Sequence, residues 1–234
     1  MANEDSSSLR DCAVVSAISI FGLSYFSVLA AQILLFHFPS TRNEIIGTFS
    51  ATIFSAGVII WCLFTILSRV ILGFQRNNAA TWQKLELGSV LLLIWTSTLP
   101  AIILLFEAQP SLRLGYLVIL TIVSVGSMLD LFICDPDISV VQIRFPYHCV
   151  SLGLLSLAPA IQALTETGST LPTLAIEFLY MAARNSLAAI FFLIGPLERT
   201  NAVSGLRPSL YAMHLVLMYS IVSYSKALMQ IALR

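Results

Sequence analysis

Charge is the scarcest commodity in this chain. Asp, Glu, Lys and Arg make up 10% of its 234 residues, where a soluble domain carries about a quarter. With 58% hydrophobic residues, too little polar surface remains to coat a water-facing exterior, so a soluble globular fold is excluded. The twelve basic residues are balanced by twelve acidic ones, so no basic surface is left over for nucleic acid. The four cysteines, Cys12, Cys62, Cys134 and Cys149, show no CxxC or other metal-ligand spacing. Neither a disulfide nor a cysteine-bound metal is expected. Internal repeats and low-complexity linkers are also missing, which leaves no place for a second domain. The first apolar stretch follows Glu4, Asp5, Arg10 and Asp11. A secretory signal has a basic start and a shorter apolar run, so this stretch is expected to be a retained membrane helix.

What the chain does contain is apolar runs of the length a helix needs to cross a hydrocarbon core, about 20 residues. Breaks at charged, Pro or Gly residues place helices near 12–36, 46–73, 85–106, 114–133, 147–164, 173–194 and 209–231. The expected fold is all-α: one polytopic domain, residues 1–234, of seven transmembrane helices in a single bundle. Arg10, Arg69, Arg76, Lys84, Arg144, Arg199 and Arg207 fall on the N-terminal side, against Arg42, Arg113, Lys226 and Arg234 on the other. Because basic residues are retained in the cytosol, the N-terminus is expected there. The endoplasmic reticulum or another endomembrane is the default for such a multi-pass chain.

Ionisable groups inside a bilayer are costly, about 2.5 to 3.5 kcal/mol each at a helix centre, so those that persist call for a partner or a role. They are Glu86, Asp130, Glu177, Arg184 and His214, with His148 as a sixth. Alternating helix directions bring Glu86, Asp130, His148 and His214 to one depth at the cytosolic face. For Asp130 and His148, a place at the headgroup level is an equal alternative. Glu177 and Arg184 are seven apart and share a helix face, where a structural ion pair fits as well as any functional role. Asp135 and Asp137, split by Pro136, read as a solvated turn rather than a metal-binding pair. The abundant aromatic residues pack or face lipid, and their ring faces also suit a cationic intermediate.

Lys84-Leu85-Glu86, followed by Gly88, Leu91 to Trp95 and Pro100, resembles helix 3 of the hemolysin III and adiponectin-receptor-like (PAQR) seven-helix proteins. Gly153 to Pro159, then Pro196, Glu198 and Arg199, and finally Ser209 to His214 continue the resemblance in order. In that family, zinc is held by one His of helix 2 and two of helix 7, beside an Asp of helix 3. Here those positions fall near Thr65, on Leu210 and His214, and on Glu86. One of three histidine ligands is present, and Leu and Thr cannot replace the others, so no metal and no cofactor are expected.

A seven-helix scaffold with an acid and a His but no metal resembles the membrane-bound terpene cyclases of fungal meroterpenoid pathways, of the ascofuranone and macrophorin type. That resemblance implies cyclisation of a farnesyl-type precursor or its epoxide by protonation in an apolar pocket. Glu86 would be the proton donor, His214 its orienting or proton-accepting partner, and Asp130 a reserve acid. Tyr211, Trp95 and Thr65 would line the pocket. The implied partners are a lipophilic prenylated substrate, membrane lipids and pathway enzymes of the same membrane. A lipid sensor or zinc-dependent lipid hydrolase of the PAQR type is the alternative.

Overall fold

The computed structural model describes residues 2–36, 41–74, 79–134, 138–165, 172–194 and 208–232. A bilayer offers no water to backbone N–H and C=O groups, so a spanning segment must close its own hydrogen bonds as a helix. The described residues do so throughout and contain no strand. The helices are α1 (Ala2–Phe36), α2 (Arg42–Phe74), α3 (Ala79–Leu105), α4 (Pro110–Leu129), α5 (Ile138–Thr165), α6 (Pro172–Ile194) and α7 (Pro208–Ala232). A π-helical turn, Asp130–Cys134, extends the end of α4.

Five helices are long and apolar enough to cross a membrane, over Arg10–Leu35, Glu44–Ile71, Ala80–Leu105, Pro110–Ile133 and Ile143–Thr165. Among the described residues, five of the seven expected crossings are accounted for in this way. Helix bounds are wider than the sequence breaks implied. The largest differences are at the start of α1, which begins at Ala2 rather than near 12, and of α5, which begins at Ile138 rather than near 147 because Pro146 lies inside the helix instead of ending it. A proline removes one donor, but a bilayer leaves the chain no better conformation than helix.

Local chemistry sets the starts of α2 and α4. Thr41 Oγ1 accepts from the Glu44 N–H at 3.3 Å while the Glu44 carboxylate accepts from the Thr41 N–H at 3.4 Å. This reciprocal capping box satisfies two helix-end donors. Pro110 opens α4 at a position where its missing N–H costs nothing.

The two helices of the α2–α3 hairpin form the most extensive contact in the bundle, with α1 and α7 packed on α2 and α5 on α3. Burial follows that order: 67% of the α3 crossing and 50% of α2 are buried, against 22% of α1 and α4. Lipid tails are as apolar as leucine, so membrane helices associate through close packing and polar ties rather than hydrophobic expulsion. Gly57 supplies the closest approach: a Cβ there would lie 1.9 Å from Thr96 Oγ1 and 2.6 Å from its Cβ. Gly22 does the same for α1, where a Cβ would meet Met218 Cε at 2.2 Å. Edge-to-face contacts run Phe26 to Phe54 to Tyr224 to Phe178, with centroids 5.8, 5.3 and 5.8 Å apart, and tie α1, α2, α7 and α6 together.

Gly57→Ala should therefore destabilise the bundle by about 1 to 3 kcal/mol through overpacking. Gly115→Ala, whose added methyl meets nothing within 4 Å, should cause no loss. Helix content followed through an SDS titration in detergent checks both.

Candidate functional site

One end of the bundle gathers most of the expected polar residues. The α2–α3 hairpin brings the end of α2 beside the start of α3, where Arg69 Nη2 donates to Glu86 Oε1 at 2.9 Å and Ser68 Oγ donates to Glu86 Oε2 at 2.7 Å. Among the described residues, no other side chain engages that carboxylate. His214 on α7 is buried, and its Nδ1–H donates to the Leu210 carbonyl at 2.9 Å. That bond occupies Nδ1, and the ring lies within the fields of both Arg69 and Glu86. Tyr211 donates its hydroxyl to Asp11 of α1, and the Cys12 thiol reaches the Arg69 carbonyl at 3.4 Å. Thr65 is buried below Ser68, and its hydroxyl and the Arg69 Nε have no hydrogen-bond partner among the described residues. Glu86, His214, Tyr211 and Thr65 thus belong to one cluster that joins α1, α2, α3 and α7.

Asp130 and His148 form a second group. His148 Nε2 lies 2.9 Å from Asp130 Oδ2, which clips the π turn to α5 beside a small cleft lined also by Leu131, Val141 and Arg144. The π turn packs on α3 at Gly88, where a Cβ would meet the Phe132 ring at 3.0 Å. Asp130 is therefore at the same end as Glu86 but serves a different helix junction. Asp135 and Asp137 lie outside the described residues.

Trp95 is separate again. It is nine residues from Glu86, about 13 Å along the helix, and its Nε1–H donates to Thr121 Oγ1 of α4 at 3.2 Å. Arg184 does not pair with Glu177. Its Nη1 donates to Ser223 Oγ of α7 at 3.3 Å, and its guanidinium lies 5.7 Å from the Tyr180 ring and 5.4 Å from the Tyr219 ring. Beside it, Ser220 donates to Asn185 Oδ1 at 2.5 Å. Tyr116 and Gln162 join α4 to α5.

Two shallow concavities are found among the described residues. One is the Asp130 cleft, and the other is a shallow groove on the outer face of α1 along Phe21, Tyr25 and Gln32. Neither is lined by Glu86 or His214. Among the described residues, no group of three His, Cys, Asp or Glu side chains is placed to hold a metal ion.

Residues 39–114 match the family described as cytochrome c oxidase subunit II, transmembrane domain. The match spans α2, α3 and the first residues of α4, about a third of the chain. No curated protein matches the chain. This finding overturns the resemblance to hemolysin III, PAQR proteins and meroterpenoid cyclases, because the segment containing Lys84 to Pro100 matches the model of a different family. Leu, Gly, Ala and Pro recur in membrane helices for packing reasons, so their order alone carried that resemblance too far. Terpene cyclisation, lipid sensing, lipid hydrolysis and a lone prenylated substrate as partner fall with it.

Sequence reasoning missed Ser68, and Arg69 entered only among the basic residues that set the orientation. A signal was present, since a short hairpin connection puts residues 16 to 18 before Glu86 at the same depth as Glu86 itself.

Glu86→Leu should cost about 2 kcal/mol by leaving Arg69 without a counter-charge, and the double variant Arg69→Met/Glu86→Leu should cost less than Glu86→Leu alone. A double-mutant cycle on unfolding in detergent measures both.

Proposed function

We propose that this chain is a structural subunit of a multi-subunit membrane complex, of the kind that the name cytochrome c oxidase subunit II describes. The observation that carries this reading is the match over residues 39–114, which coincides with the helix pair at the centre of the bundle. The polar groups support it. Arg69 with Glu86, Asp130 with His148, Trp95 with Thr121 and Ser220 with Asn185 each tie one helix to another. On this reading, Glu86, His214, Tyr211 and Thr65 lock four helices at one end of the bundle, Asp130 clips the π turn to α5, and Trp95 fixes α3 to α4. All seven helices cross the bilayer, with α6 and α7 sheltering their polar residues against each other, and the N-terminus faces the cytosolic side.

Purification of the tagged chain from its own membrane in digitonin tests this reading. Further membrane-embedded chains should co-purify in fixed stoichiometry, with a haem absorbance band if the assembly is an oxidase. Fixed partners without haem would keep the subunit role and remove the oxidase. Recovery of the chain alone would overturn the proposal.

A further inference from the structure

The α6–α7 face carries a charge that no carboxylate among the described residues pairs with. Arg184 stands about 18 Å from the start of α6 and about 15 Å from its end, which is near the midplane of a hydrocarbon core of about 30 Å. An arginine near a helix end extends its stem towards the headgroups. Arg184 instead turns sideways across the α6–α7 groove, held by the rings of Tyr180 and Tyr219 and the hydroxyl of Ser223. All three partners are neutral, and among the described residues no carboxylate pairs with it. Glu177, the nearest acid along α6, is two turns away.

The surroundings of this cation are open. Tyr180 is 54% and Tyr219 64% exposed, and Ile176, Leu187, Ile190 and Leu215 extend the same outward face. α6 packs on α7, α5 and α3, and α7 on α6, α2 and α1, so no further described helix covers this side.

We infer that the Arg184 face of α6 and α7 is the docking site for a transmembrane helix of a different chain that carries an Asp or Glu near its midpoint. This rests on the subunit reading above and names the partner's chemistry. Charge complementarity selects the occupant. A lipid phosphate belongs at the headgroup level, some 15 Å away, and the Arg184 side chain is not directed there. A second copy in the same orientation would set Arg184 against Arg184 at one depth, where like charges repel. A carboxylate on a neighbouring helix at that depth meets the guanidinium in its planar, bidentate geometry, with the two tyrosines flanking the contact.

A photo-crosslinking residue at Leu187, one turn from Arg184, tests the inference in the native membrane, with Leu154 on α5 as the control position. The expected result is a cross-link from position 187 to a membrane-spanning peptide of another protein that contains Asp or Glu. The adduct should be lost in Arg184→Gln, which can still hydrogen-bond Ser223, and retained in Arg184→Lys. Position 154 should not give it. An adduct to phospholipid only, to a second copy of the chain, or to a helix that persists in Arg184→Gln would overturn the inference. If fixed partners co-purify but position 187 captures none of them, the docking face is wrong while the subunit reading stands. If the chain purifies alone, the subunit reading itself fails and the docking face with it.

Discussion

The close approach of α2 and α3 at Gly57 and Thr96 is the contact on which the bundle depends. Only a glycine leaves room for it, since any side chain at that position would occupy the space of the Thr96 hydroxyl. Because lipid gives helices no hydrophobic reason to associate, dispersion contacts at this distance must hold the pair together. Once α2 and α3 are fused in this way, each offers its remaining faces to neighbours. α1 and α7 settle on α2, and α5 on α3. The segment that matches the oxidase subunit II transmembrane domain is this same pair.

Polar groups in the bundle act as fasteners between helices. The Arg69–Glu86 pair closes the open end of the hairpin, and Ser68 satisfies the second carboxylate oxygen. The His214 ring, Tyr211 and Asp11 extend that lock to α7 and α1. Towards the middle of the helices the ties are neutral, Trp95 with Thr121 and Ser220 with Asn185. Arg184 is the exception to this pattern, and its exposed aromatic surroundings set it apart from the internal fasteners.

The all-helical architecture was legible in the sequence because a bilayer leaves few alternatives and apolar run length reports it directly. The depth shared by Glu86 and His214 was legible for the same reason, as alternating helices fix which ends lie together. Partners were less so. Trp95 faces α4 rather than the Glu86 cluster, and Arg184 crosses to α7 rather than to Glu177, because helix rotation about its axis is set by packing that no single helix encodes. Pro146 misled as a boundary, since a proline in a membrane helix need not end it. The functional reading failed for a separate reason. Small and apolar residues in familiar order are common property of membrane helices, whereas the family match to α2 and α3 weighs the whole hairpin.

Native mass spectrometry of particles released directly from the membrane in which this chain resides tests the central claim most directly. The account predicts one dominant species heavier than the 25.6 kDa chain by the masses of other membrane proteins in whole-number ratios. A dominant species at the mass of the chain alone, released under conditions that keep other membrane complexes intact, would contradict it.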